Sequence, residues 1–217
     1  MFSIMFLLAV IVIFISPVTS GESTALKFGD DGNSIISLQP NMSPLTDKFT
    51  VCLWFKKLVS GQVPMPYAYE RGEMFFYDYS GNNHLFGVYK TLPSEFITPM
   101  QVWTHYCGTW SVASRTYRAY INGKLAGFQI TASGRTLKTG GTLVLGDYWD
   151  PAVHGKSNNH FGGEMFNFNF FSKELTGSEV AAMSADGLCT PIPEELEQYR
   201  VIRWEEVLRL PRRGNVQ

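Results

Sequence analysis

Charge is scarce in this sequence. Asp, Glu, Lys and Arg make up 17% of its 217 residues, and the formal net charge at pH 7 is −1. Nucleic-acid-binding proteins draw their affinity from a basic excess, so this composition argues against a nucleic-acid partner. Cysteine is nearly as sparse. The three present, Cys52, Cys107 and Cys189, permit at most one internal bridge and leave one thiol over. No basic residue precedes Lys27, and no stretch after the apolar run Ile4–Ile15 approaches the ~20 residues that cross a bilayer. The expectation is a mature chain that does not insert into membranes. There is no Gly-x-Ser-x-Gly elbow for a serine nucleophile, and no internal repeat. Of the four histidines, His154 and His160 are six apart in a Gly- and Asn-bearing stretch without the cysteine or acidic spacing of a zinc site.

What is present begins with an export signal. The opening MFSIMFLLAVIVIFISPVTS couples a short apolar core to small residues, Val18 and Ser20, at the −3 and −1 positions of a cut before Gly21. Residues 1–20 therefore read as a signal peptide and 21–217 as one secreted, extracellular domain. In an oxidising compartment its cysteines would form disulfides.

Aromatics are plentiful at 14%, and there are 20 glycines, a mixture that favours strands and tight turns over long solvated helices. Strand-like runs recur at Phe49–Phe55, Met74–Tyr79, Leu85–Tyr89, Trp103–Trp110, Arg115–Ile121, Lys124–Ile130, Thr142–Leu145 and Glu164–Phe171. Between two of them, Asn122-Gly123 predicts a type I′ hairpin turn, which needs positive φ at both central residues. In the last run Phe166, Phe168 and Phe170 alternate with Met165, Asn167 and Asn169, which predicts one aromatic, buried face and one polar face. One short helix is expected before the tail, opened by the capping box Thr176–Glu179 and stopped near Gly187. The segment 189–217 is expected to dock, because leaving Trp204 exposed would be costly. The fold class is all-β, a two-sheet antiparallel jelly-roll sandwich.

The run His105-Tyr106-Cys107-Gly108-Thr109-Trp110-Ser111 resembles the pentraxin signature His-x-Cys-x-Ser/Thr-Trp-x-Ser/Thr, departing from it at Val112. The likeness continues in order through Phe49–Leu53, Ala119–Leu125, Gly140–Gly146, Phe161–Glu164 and Val201–Trp204. The resemblance implies a jelly roll with a long helix on one face and a bridge between Cys52 and Cys107. A loop of that length, 107 − 52 = 55 residues, would make the bridge stabilising by roughly 3–4 kcal/mol on the chain-entropy model. Cys189 lies outside this framework, either a cross-link between subunits of a homo-oligomer or a free thiol.

Pentraxins hold calcium in loops at one face, and calcium needs several hard oxygens. Where the family reads Gln-Glu-Gln-Asp, this chain reads Asp147-Tyr148-Trp149-Asp150. Asp150 keeps a carboxylate, Tyr148 replaces the bridging Glu, Asn159 falls near a Gln ligand, and Lys156 stands where a further Glu would be. Arg71-Gly72 takes the place of an Asp-Asn pair. The resemblance thus implies at most one weak calcium site, on Asp147, Asp150 and Asn159. Tyr67, Tyr69, Tyr77, Tyr148 and Trp149 gather in the same region; exposed, they would stack on sugars or a quaternary ammonium, and buried they would be core. Asn41-Met42-Ser43 is a glycosylation sequon.

Jelly rolls also carry glycosidases, which need two carboxylates flanking the scissile bond. The Glu-x-Asp-x-x-Glu strand of the laminarinase-like families is missing, and Glu73 and Asp78, five apart, point to opposite faces of a strand. The expectation is a non-catalytic, lectin-like protein of innate defence that binds carbohydrate or phosphate-bearing surface ligands. The alternative is a laminin-G-like adhesion module that has lost calcium.

Overall fold

Residues rich in β-branched and aromatic side chains build the longest strands, and the run Phe49–Phe55 is buried on both faces, as in strands covered on both sides. The computed structural model describes residues 24–59, 66–69, 74–76, 82–85, 88–91, 98–131, 134–147 and 160–217. In chain order its strands are β1 (Leu26–Phe28), β2 (Ile36–Leu38), β3 (Lys48–Lys57), β4 (Tyr67–Tyr69), β5 (Met74–Phe76), β6 (Asn82–Leu85) and β7 (Val88–Thr91). There follow β8 (Thr104–Ser111), β9 (Thr116–Ile121), β10 (Lys124–Ile130), β11 (Leu143–Leu145), β12 (Gly163–Phe171) and β13 (Arg200–Ile202). Three short helices, α1 (Gly177–Ala182), α2 (Glu194–Glu197) and α3 (Trp204–Val207), lie in the last quarter of the chain.

The larger sheet has the order β1-β12-β3-β8-β9-β10, with β13 added beside β12; the smaller is β2-β11-β4-β5, and β6 and β7 pair as a separate hairpin. All of these pairings are antiparallel. The architecture is the all-β jelly-roll sandwich. Its core lies between the two sheets, where Phe49, Val51, Leu53 and Phe55 of β3 meet Tyr67, Leu143 and Leu145. The alternate residues of β3 point outward, and the outer face is covered too. There Cys52, Cys107, Tyr120 and Phe171 lie beneath Leu175, Val180, Met183 and Leu196. Asn122 (φ 48°) and Gly123 (φ 76°) make the expected positive-φ hairpin turn between β9 and β10.

The helix on this outer face is short, six residues rather than the long one the resemblance implies. Its start is as the capping box predicts: Thr176 Oγ1 accepts from the Glu179 N–H, and the Glu179 carboxylate accepts from the Thr176 N–H.

The alternation expected in β12 is broken. Asn167 adopts φ 53°, and the register against β3 shifts between Phe166 and Asn169. This β-bulge adds one residue and reverses every side chain after it. Phe168 and Phe170 therefore face the core, each edge-on to Tyr67 (ring centroids 5.6 and 6.3 Å). Phe166 turns to the other face, against Trp204. Asn169, expected on a polar face, is fully buried.

Asn169 is buried because the C-terminal segment docks over it. β13 pairs with β12, Phe170 opposite Ile202. The Asn169 Oδ1 accepts from Arg200 Nε (3.0 Å), Arg200 Nη2 (2.7 Å) and the Trp204 N–H (3.3 Å). Arg200, its side chain only 4% exposed, is also paired with Glu197 and Glu205. Beyond α3 the chain returns to the sandwich: Ile35 and Arg213 exchange backbone hydrogen bonds, as do Lys27 and Gln217. Among the described residues no helix is long and apolar enough to cross a membrane.

Candidate functional site

The loops that would bear a ligand site converge where β11 ends. Gly146 there has φ +95°, and a Cβ on it would lie 2.5 Å from both the Phe28 ring and the Ser34 carbonyl. Only glycine fits, on conformation and on space. Its N–H donates to the Pro66 carbonyl and its own carbonyl accepts from Phe161 N–H, both at 2.8 Å. Asp147 follows, 1% exposed, and forms an isolated antiparallel bridge with His160. The two residues that flank 148–159 are thus joined in one closed base.

His160 extends that base to a third loop. Its Nε2 lies 2.7 Å from the Asp30 carbonyl oxygen; a carbonyl only accepts, so the imidazole donates from this nitrogen. The adjoining turn is acidic and tightly held. Asp31 accepts from the Asn33 N–H, from Ser34 Oγ and from Asn215 Nδ2. The Asn33 N–H foremost, with the Ser34 bonds, holds the Asp31 carboxyl below its usual range. Among the described residues, Asp30 and Asp31 set exposed carboxylates at this pole, of the sign that attracts cations.

Of the residues expected here from sequence, Asp147 is placed at the base of the loop. Asp150, Asn159, Tyr148 and Trp149 lie outside the described residues, as do the Tyr77 side chain, Arg71 and Lys156. Calcium takes six to eight oxygens, and the described residues supply one buried carboxylate from the expected set, so they alone do not constitute a calcium site. Tyr67 and Tyr69 are not available to a ligand: both are fully buried. Tyr69 Oη donates to the Lys138 carbonyl and accepts from the Gly141 N–H. Both belong to the core between the sheets, Tyr67 against Phe168 and Phe170.

Two contributions escaped the sequence reading. One is the Gly29–Ser34 turn, whose Asp-Asp-Gly-Asn composition is the signal that could have found it. The other is the chain terminus, where Asn215 reaches back across 184 positions to Asp31. No local pattern encodes that contact.

The remaining expected residues lie elsewhere. Cys52 and Cys107, directly opposite each other on β3 and β8, form the disulfide. His105, two residues before Cys107 on the same face, stacks on Trp54 (5.0 Å) with Nε2 3.7 Å from Cys107 Sγ. Burial drives its pKa down to about 4. With both sulfurs in the disulfide, these three residues are a structural cluster rather than a metal site. Asn41 is exposed, its Oδ1 accepting from the Ser43 N–H. Cys189 is an exposed free thiol.

Comparison with known proteins places the chain. The concanavalin A-like lectin/glucanases superfamily matches residues 29–181. Human neuronal pentraxin-1 is 30% identical over 168 residues, covering 74% of this chain and 39% of its own length. Human pentraxin-related protein PTX3 is 24% identical, covering 74% and 45%. The chain therefore spans less than half the length of these curated relatives. Among solved structures, the heptameric SAP-like pentraxin of Limulus polyphemus superposes with a TM-score of 0.71 at 18% identity, covering 90% of this chain and 94% of that one. The fold, the disulfide-bearing strand pair and these matches converge on one assignment: this chain is a pentraxin-like member of the concanavalin A-like lectin/glucanases superfamily.

Proposed function

We propose that this chain is a secreted, non-catalytic recognition protein that binds carbohydrate or phosphate-bearing surface ligands through the pole carrying Asp147. The observation that supports this most is the closed base formed by the buried Asp147–His160 bridge and the His160–Asp30 hydrogen bond. It fixes the two residues that flank 148–159 on a rigid frame, which limits the ordering cost of binding there. In this reading Tyr148 and Trp149 stack on the ligand, and Asp147, Asp150 and Asn159 are the residues that would hold one calcium ion weakly. Calcium would supply a hard Lewis-acid contact to ligand oxygens. The proposal extends to removal of residues 1–20 on export, a glycan on Asn41, and a homo-oligomer cross-linked through the exposed Cys189. Several loop poles on one assembly would raise avidity for a surface, consistent with a part in innate defence.

The test is capture of the purified mature chain on immobilised phosphocholine, phosphorylated polysaccharide and neutral glycan matrices, with calcium and with chelator. Capture by at least one matrix, lost in Asp147→Asn/Asp150→Asn, supports the reading. A second reading, a laminin-G-like adhesion module, is favoured by Arg71, a cation where the resemblance implies the carboxylate of an Asp-Asn calcium-binding pair. It requires a monomer in light scattering and partner binding indifferent to chelator.

A further inference from the structure

The Gly29–Ser34 turn is held from behind by a short strap, residues 213–217. Arg213 and Ile35 exchange backbone hydrogen bonds of 3.0 and 3.1 Å, and Lys27 and Gln217 exchange two more of 3.0 Å. Between these pairs the Asn215 N–H donates to Ser34 Oγ (3.0 Å), Asn215 Nδ2 donates to Asp31 (2.9 Å), and Val216 is buried in the core. Gly214 has φ +69°, and a Cβ on it would lie 2.4 Å from the Asn33 carbonyl oxygen, so only glycine passes there. The other side of the turn meets the ligand pole. His160 donates to the Asp30 carbonyl, and a Cβ on Gly162 would stand 3.0 Å from the Asp30 Cβ. Leu210-Pro211-Arg212 joins the strap to α3. Arg212 is exposed, lies in no strand or helix, and makes no hydrogen bond or ion pair to any described residue. The other described arginines are held. Arg118, Arg200 and Arg203 are ion-paired. The Arg115 and Arg135 carbonyls accept from Thr131 and Trp110, and the Arg209 N–H donates to Glu206.

We infer that the Arg212–Arg213 bond is a processing site for a trypsin-like, arginine-specific serine endoprotease, and that its cleavage releases the strap and loosens the turn behind the Asp147 pole. Such enzymes take an arginine into an acidic specificity pocket and bind the flanking residues as an extended strand. Pro211 fixes its own φ and drives Leu210 toward extended backbone, so Leu210-Pro211-Arg212 is already shaped for that cleft. Hydrolysis breaks the bond between the Arg212 carbonyl carbon and the Arg213 nitrogen. Water supplies the hydroxyl of the new carboxyl, whose proton passes to the amine, leaving a carboxylate on Arg212 and an ammonium on Arg213. The Arg213 N–H donates to the Ile35 carbonyl, so cleavage waits on fraying of the first strap residue. Until the cut the strap is tethered at high effective concentration; afterwards a short peptide with one buried side chain dissociates. Its loss strips the Lys27 backbone of its partners and Asp31 of the Asn215 amide. Weaker ligand binding after the cut rests on the reading of the Asp147 pole as the ligand site; the cleavage and the loosening do not.

The probes are thrombin and trypsin in limiting amounts, applied to the mature chain and followed by mass spectrometry. The first cut after an arginine is expected to leave a chain ending at Arg212. Arg212→Gln blocks that product, Arg209→Gln leaves it, and Asn215→Ala, which weakens the strap, speeds it. Amide hydrogen exchange of the cleaved chain should rise about tenfold or more at Lys27 and Ile35, whose N–H groups donate to the strap, and stay unchanged along β3 and β8. Capture on the phosphocholine and glycan matrices should weaken after protease treatment of the wild type and persist in treated Arg212→Gln. A first arginine cut elsewhere with both proteases, or a strap peptide that leaves Lys27 and Ile35 exchange unchanged, would overturn the inference. So would capture that is equal before and after the cut. An uncut chain that no matrix captures sinks the reading of the pole alone, because mass and exchange still decide the cleavage and the loosening.

Discussion

Replacing Asn169 with Ala should loosen the whole C-terminal clasp. The side chain is fully buried and its Oδ1 is the shared acceptor for two Arg200 donors and the Trp204 N–H. Truncation leaves Arg200, 4% exposed, with Glu197 and Glu205 but without its inner partner. A hydrogen bond to a charged group contributes about 1.5–3 kcal/mol net, and an orphaned buried donor costs about 1–3 kcal/mol. Two charged donors and one backbone donor are affected, and partial relaxation of the exposed Glu205 toward Arg200 offsets some of the loss. The expected destabilisation is about 3 kcal/mol, a drop in Tm of about 6–12 °C for a domain of this size. Asn169→Asp keeps the acceptor toward Arg200 but sets a carboxylate oxygen where Asn169 Nδ2 donates to the backbone and side-chain oxygens of Asn167, and should recover only part of the stability. The assay is thermal unfolding together with limited proteolysis, in which residues 200–217 should be cleaved first in Asn169→Ala. A variant within 0.5 kcal/mol of wild type and equally protease-resistant would refute the clasp.

Three further outcomes are expected. His105, its pKa lowered to about 4 by burial, stays neutral in the fold while the unfolded chain takes up a proton near pH 6.5. Stability therefore falls as pH drops below 6.5, by about 3 kcal/mol at pH 4, and His105→Gln should flatten that part of the urea-midpoint profile; an unchanged slope would exclude His105 as its source. Cys52→Ala/Cys107→Ala, which opens a loop of 55 residues, should lose about 3–4 kcal/mol, with loss below 1 kcal/mol in denaturant titration counting against the disulfide as a main constraint. Calorimetric titration of the mature chain with calcium should show at most one weak site, lost in Asp147→Asn/Asp150→Asn, and heat from two tight sites would contradict the reading of Tyr148 and Arg71.

The sandwich was legible in sequence because its determinants are local or repeat along a strand. The Asn122-Gly123 turn, the Thr176 capping box and the apolar run of β3 each act within a few residues. The β12 pattern misled because a bulge at Asn167 is set by the partner strand and by the segment docking over it, not by composition. Asn169 looks like a surface residue until Arg200 and Trp204, more than 30 positions away, supply its partners. At the candidate site, Asp147 was singled out because its stretch resembles a calcium loop. Tyr67 and Tyr69 were ambiguous, since aromatic content alone does not say which sheet face a short strand presents. The involvement of Asp31 and Asn215 rests on closure of the two chain ends, which no periodicity records.

Capture of the mature chain on phosphocholine, phosphorylated-polysaccharide and glycan matrices tests the central claim most directly. The account predicts capture by at least one of these matrices, abolished by Asp147→Asn/Asp150→Asn in a variant that still unfolds cooperatively. No capture by any matrix, with or without calcium, or capture unaffected by that substitution, would contradict recognition through the Asp147 pole.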